Sequence, residues 1–288
     1  MDLGTAKIIR EIRDFTARSP LNYIAEADGT PVFDPPLVGF ADGADPIFTE
    51  FKTLVGPDHI TPAEALAGAT GEAHASLPPV YVIAWTLTHS LPVRAANRRR
   101  KRTTSKLAAL ARTQGGALNN ALRDHIADWL RERGYRAAAP AREAYFSADD
   151  HTEGKYSNWS ERNVAHAAGL GSFGVSGSFI TTIGIAARCG SVVTDLILPP
   201  TPRNPDLHAG CLFYLDGSCL KCARRCPAGA ISATGRRKSL CRPYCLTQYP
   251  RLRREYGVPT PGCNLCQVAV PCEAADPVLV RALAKRGE

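Results

Sequence analysis

Apolar residues recur at helical spacing near the start of the chain. Ile8, Ile9, Ile12 and Phe15 share one face, which predicts an amphipathic helix over residues 5–18. A longer stripe of Leu118, Leu122, Ile126, Trp129 and Leu130 predicts a helix from about Ala117 to Arg133, with Gly134 as the residue that ends it. Thr61-Pro62-Ala63-Glu64 has the form of a capping box with proline at the first helical position. A further helix is expected from about Ser160 to Ala168. Two runs break the helical period: Val80-Tyr81-Val82-Ile83-Ala84-Trp85 and Ser191-Val192-Val193-Thr194-Asp195-Leu196-Ile197-Leu198. Both are rich in β-branched or aromatic residues and read as strands, the second closed by Pro199-Pro200. Residues 28–60, rich in Pro, Gly and Asp, read mainly as loop with a short helical piece near Phe48–Leu54. Strands interleaved with helices give the first 200 residues an α/β or α+β core.

Composition narrows the class. With 44% hydrophobic and 22% charged residues, wholesale disorder is excluded. No apolar run approaches the roughly 18–20 residues of a membrane-spanning helix, so no membrane partner is expected. The start lacks both a basic-then-apolar leader and a twin-arginine pair, which gives a cytoplasmic expectation. The net charge of +8 suits a nucleic acid or an anionic ligand. Arg98-Arg99-Arg100-Lys101-Arg102 concentrates that charge. It reads as a solvated basic loop or a phosphate contact, and without interleaved aromatics it is not a base-stacking surface.

Cysteine carries the strongest signal. Nine of the ten cysteines fall between Cys211 and Cys272. In a reducing compartment such a cluster reads as a metal site and not as a disulfide framework. Cys219-x2-Cys222-x3-Cys226-Pro227 matches the last three cysteines of the two-cluster ferredoxin motif, whose first position here is Asp216. Cys211 is the natural substitute. A second motif, Cys263-x2-Cys266-x5-Cys272, is preceded by Cys241. Crossing the ligands as in ferredoxins gives one 4Fe-4S cluster Cys211, Cys219, Cys222 and Cys272, and the other Cys226, Cys241, Cys263 and Cys266. Cys245, four residues after Cys241, is the rival to Cys241. Paired C-x2-C motifs also suit zinc, but zinc leaves Cys226 and Cys272 without a role. Cys189 reads as a buried structural thiol, and His125 and His166 as structural histidines on helices.

Gly169-Leu170-Gly171-Ser172-Phe173-Gly174 matches G-x-G-x-x-G but follows a helical stretch, so it is not a dinucleotide fingerprint. A glycine turn of this kind brings backbone amides close to a large cofactor, making Gly169, Gly171 and Gly174 candidate cofactor contacts.

The order of these motifs resembles a known family. Ser157-Asn158-Trp159-Ser160-Glu161-Arg162, then Ala168-Gly169-Leu170-Gly171, then Gly190-Ser191-Val192-Val193-Thr194-Asp195, then Cys-x2-Cys-x3-Cys-Pro-Ala-Gly-Ala-Ile, is similar to epoxyqueuosine reductase and its relatives, among them the reductive dehalogenases. The likeness covers roughly residues 155–275. It implies an α+β fold: a nitroreductase-like α/β core over residues 1–200 and a ferredoxin-like module carrying two 4Fe-4S clusters over 201–288. It also implies a bound cobalamin, an external donor of flavodoxin or ferredoxin type, and a small-molecule or tRNA-base substrate. The family's catalytic Asp precedes the A-G-L-G turn, and its position falls here at Lys155, beside Tyr156. Reductive dehalogenases use a Tyr with a basic neighbour, a pairing that Lys155 and Tyr156 resemble. The competing readings are an electron-transfer protein without a corrinoid and an RNA-binding protein with structural clusters.

Overall fold

The structure, a computed structural model, describes residues 3–149, 156–185 and 187–287. Its central sheet has four strands: β1 (Leu37–Asp42), β2 (Tyr81–Leu87), β3 (Ala137–Ala138) and β4 (Arg188–Thr194). They lie in the order β1-β2-β4-β3, and every neighbouring pair is antiparallel. An antiparallel sheet with helices around it makes the region α+β.

Helices cover both faces of this sheet, and alternate side chains along each strand point to opposite layers. Phe40, Ile83, Trp85, Leu87 and Val192 face one layer, where they meet α1 (Thr5–Arg18), α4 (Leu91–Arg98) and α5 (Lys106–Arg131). Ala41, Val82, Ala84 and Val193 face the other, against α2 (Ile47–Leu54), α3 (Pro62–Thr70) and α6 (Glu161–Ala167). Burial on both sides explains why the β2 sequence is apolar without alternation. The expected capping box starts α3, with Thr61 Oγ1 and Glu64 each bonding the other's backbone amide.

Three elements differ from the sequence reading. Helix α5 starts at Lys106, well before Ala117, with Ser105 Oγ accepting from the Ala108 amide. Gly115 and Gly116 hide this extension, since each glycine costs a helix about 1 kcal/mol relative to alanine. Packing requires the first of them: a Cβ on Gly115 would stand 2.5 Å from the Phe33 ring. Strand β1 lies inside the stretch read as loop, where Pro35-Pro36 and Gly39 mask it. Finally, β4 ends at Thr194 because Asp195 turns to the Arg136 guanidinium.

The C-terminal part holds four helices, α7 (Leu212–Asp216), α8 (Lys221–Arg225), α9 (Lys238–Tyr256) and α10 (Pro277–Arg286). Its apolar centre joins Cys211, Cys222, Ile231 and Val270 to Val175, Ile180 and Ile185. The last three come from or adjoin a small antiparallel sheet of Ser172–Phe173, Phe179–Thr181 and Gly184–Ile185. Helix α4 clamps the cysteine-rich part: Arg98 bonds Glu273, Arg94 reaches the Glu273 carbonyl, and Asn97 reaches the Cys263 carbonyl. Among the described residues no helix is long and apolar enough to cross a membrane.

Candidate metal centre and adjoining cleft

Three separate parts of the chain deliver cysteines to one pocket. Cys211 caps α7, Cys219 and Cys222 flank the start of α8, and Cys272 sits in the short turn Pro271–Glu273. With Ile180, Leu212, Val270 and Pro277 these four line one small pocket. Burial pushes the Cys222 thiol up to about 11, with Cys211 and Cys219 adding to it. Burial likewise pushes Cys272 up to about 12, reinforced by Cys222 and Cys211. A neutral thiol is favoured here until a cationic centre displaces the proton. Asp216 does not line this pocket. Its carboxylate accepts from the Ser218 amide and pairs with Arg281.

The other C-terminal cysteines form a second group. Cys226 follows α8, and its Sγ accepts from the Ala230 amide. Cys241 and Cys245 lie one turn apart on α9, and Cys245 interacts with both Cys241 and Cys263. The Cys245 interaction is the main cause that lowers the Cys241 and Cys263 thiols. The same interactions and burial raise Cys245. Burial raises Cys266 to about 12, with Cys263, Cys226 and Cys241 among its neighbours. Among the described residues no three His, Cys, Asp or Glu side chains converge to hold a single ion. A cubane instead takes one thiolate per iron, so its ligands stand around a pocket.

Beside both cysteine groups opens a cleft of about 1170 Å³. Gly174 and Val175 form a wall common to the cleft and the first pocket, while Cys241 brings the second group into the cleft wall. Arg112, Arg162 and Arg236 line it, and Arg162 Nη1 donates to the Gly177 carbonyl at 3.1 Å. Ser157 lines it too. The backbone of Tyr156 pairs with Asp149 next to that position, and Lys155 lies outside the described residues.

Of the three candidate glycines, Gly174 reaches the cleft. The other two answer to packing. A Cβ on Gly169, which holds φ +73°, would stand 2.6 Å from the Pro202 carbonyl oxygen, and one on Gly171 would stand 2.0 Å from the Ile180 carbonyl oxygen. Cys189 is buried in β4, and burial raises its thiol to about 12. His125 bonds Glu11 and His166 bonds the Gly171 carbonyl, both structural contacts. In the basic block Arg98 bonds Glu273, while Arg99 to Lys101 and Arg102 are exposed. Sequence reading missed the cleft arginines. Arg162 stands in the Ser157–Arg162 motif, but Arg112 and Arg236 come from α5 and the strand Gly235–Arg236, and no spacing links them.

An α+β body with one cysteine-lined pocket and a second cysteine group beside a cationic cleft defines the class. No family model and no curated protein matches the sequence. Among solved structures, epoxyqueuosine reductase with an epoxyqueuosine-modified tRNA-Tyr stem loop aligns over 93% of this chain and 66% of its own, at 16% identity and TM-score 0.51. A selenomethionine-labelled epoxyqueuosine reductase has the same coverage and identity at TM-score 0.47. A catabolic reductive dehalogenase in complex with 3-bromo-4-hydroxybenzoic acid aligns over 86% of this chain and 31% of its own, at 17% identity and TM-score 0.45. The chain has the fold of epoxyqueuosine reductase, the family its motifs resemble, and spans just under two thirds of that protein's length.

Proposed function

We propose that the chain is an iron–sulfur oxidoreductase of the epoxyqueuosine reductase type. The observation that carries this is the convergence of Cys211, Cys219, Cys222 and Cys272 on one pocket whose Gly174–Val175 wall also bounds the cleft. These four would hold one 4Fe-4S cluster, and Cys226, Cys241, Cys263 and Cys266 the second, with residues 201–288 forming a ferredoxin-like module on a nitroreductase-like core. Soft thiolates suit cubane iron. The cleft has the size and the glycine-lined wall for a corrinoid, with Gly174 at its edge. Bound there, a corrinoid supplies strongly reducing chemistry fed by the clusters.

The chain's own residues do the rest. Arg112, Arg162 and Arg236 draw an anionic ligand into the cleft, such as a tRNA base with its phosphates. Lys155 and Tyr156 stand where the family places its acid and deliver the proton that a reductive cleavage requires, a contribution of roughly 10²–10⁴-fold. An external flavodoxin- or ferredoxin-type donor, in a cytoplasmic setting, supplies the electrons.

Anaerobic reconstitution tests this reading, with about eight iron and eight sulfide per chain expected and a corrinoid spectrum retained after gel filtration. About four iron, or stoichiometric zinc, refutes the two-cluster assignment. Full cluster content with no corrinoid retained favours an electron carrier. Unchanged turnover in both Tyr156→Phe and Lys155→Ala, clusters intact, removes that pair as the acid.

A further inference from the structure

The second cysteine group contains five thiols, Cys226, Cys241, Cys245, Cys263 and Cys266, where a cubane takes four. The surplus thiol is not remote. Cys241 and Cys245 occupy positions i and i+4 of α9, so both sulfurs leave the same helix face. Cys245 also interacts with Cys241 and Cys263, so it stands beside two members of the proposed ligand set. The two α9 cysteines differ in what lies behind them. Cys241 forms part of the cleft wall, and Cys245 does not.

We propose that Cys241 and Cys245 are interchangeable ligands of one iron in the second cluster, either one completing the set Cys226, Cys263 and Cys266. The inference rests on the two-cluster reading above and deepens it. The exchange balances without an outside reagent. The Cys241 sulfur would leave the iron as the Cys245 sulfur binds, and the proton that Cys245 gives up would pass to Cys241, one helical turn away. No electron is gained or lost, and the charge of the centre is unchanged. What changes is the cleft: with Cys245 bound, its wall presents a free Cys241 thiol near Arg236. Exchange of this kind needs two thiols within reach of one iron on a single rigid element, and a shared face of α9 supplies that.

The test uses the full chain, reconstituted anaerobically. Brief alkylation of the folded holoprotein with iodoacetamide, followed by peptide mass spectrometry, reads which thiol is free. Label should divide between Cys241 and Cys245 and sum to about one per chain, while Cys226, Cys263 and Cys266 stay protected. Label confined to one of the two overturns the proposal, and this arm needs no variant to fold. Iron analysis gives a second readout. Cys241→Ala and Cys245→Ala should each keep about eight iron, with altered EPR signals on reduction, and the double variant should fall to about four. Loss of about four iron from either single variant shows a fixed ligand and overturns the proposal. A wild-type chain that itself binds fewer than about eight iron shows instead that the two-cluster reading has failed, and the exchange with it.

Discussion

Arg98 Nε donates a 2.6 Å hydrogen bond to the carboxylate of Glu273, a residue 175 positions away and next to Cys272. The Glu273 side chain is only 5% exposed, and its other oxygen accepts from the Ala269 amide at 2.7 Å. Ala269 is held at φ +56°, a conformation that L residues avoid. One carboxylate therefore fixes the turn that carries Cys272 and ties it to α4.

Removing either partner should loosen that turn. Arg98→Ala leaves a buried carboxylate unpaired, at a loss of about 1–2 kcal/mol since the arginine is itself partly exposed. Glu273→Gln replaces one accepting oxygen with an NH2 that cannot accept, so it loses one bond and the charge of the other, and should release iron from the proposed first centre faster than Arg98→Ala does. Denaturation midpoints and iron retention under a chelator measure the two effects. Equal, wild-type retention in both variants removes the clamp from the account.

The fourth ligand of the proposed first cluster gives a sharper contrast. Cys211 lines the pocket, whereas the Asp216 carboxylate is held by the Ser218 side chain, the Ser218 amide and Arg281, which keep it well below the usual carboxylate range, at about 2. Thiolate is also the softer ligand. Cys211→Ser should lose about half the iron, and Asp216→Ala should keep it all. The reverse pattern would exchange their assignments.

Much of this arrangement is legible in the chain because it is local. Thr5–Arg18 follows the Ile8/Ile12 stripe, Tyr81–Leu87 its β-branched run, and the turn at Gly169 its glycine. Of the pocket cysteines, Cys219 and Cys222 are announced by C-x2-C spacing. What stays hidden depends on contacts between distant residues. Gly115 and Gly116 break a helical pattern that Phe33 nevertheless requires, and Pro35-Pro36 disguise a strand that exists by pairing with Tyr81–Leu87. Arg112 and Arg236 come together through the fold alone. The α9 helix also runs on through Pro243 and Pro250, where local rules end a helix.

A core test follows from Gly190. On β4 it lies opposite Trp85, and a Cβ there would sit 2.5 Å from the indole and 2.7 Å from Asn119 Oδ1. That oxygen accepts from Trp85 Nε1 at 2.8 Å, and Asn119 Nδ2 donates to the Cys189 carbonyl at 2.9 Å. Gly190→Ala must displace the indole or break the bond, so a destabilisation of about 3 kcal/mol is expected from overpacking. Urea unfolding reads it directly. A change under about 0.5 kcal/mol means the sheet yields without strain, against this packing argument.

Acid stability should depend on His59. The ring is 1% exposed, packed edge-on to Phe51 and stacked on Trp159, and Nε2 accepts from the Ser160 amide at 3.0 Å. A second proton would have to sit where that amide donates. Burial pushes the folded pKa down to about 4 from an ordinary 6.5. As pH falls below about 6.5 the unfolded chain binds a proton that the folded chain refuses, so stability declines until about pH 4 and then levels. The shift amounts to about 3 kcal/mol at most. His89, lowered to about 3 by burial and then by Arg188, Arg112 and Arg94, and His166, lowered chiefly by burial, act in the same direction, so the wild-type slope contains all three. The difference from His59→Gln isolates the first. Between pH 7 and pH 4.5 denaturation midpoints should fall in both proteins, and further in the wild type than in the variant. Parallel losses in the two proteins would show that His59 is already protonated in the fold, contrary to the bond it accepts from Ser160.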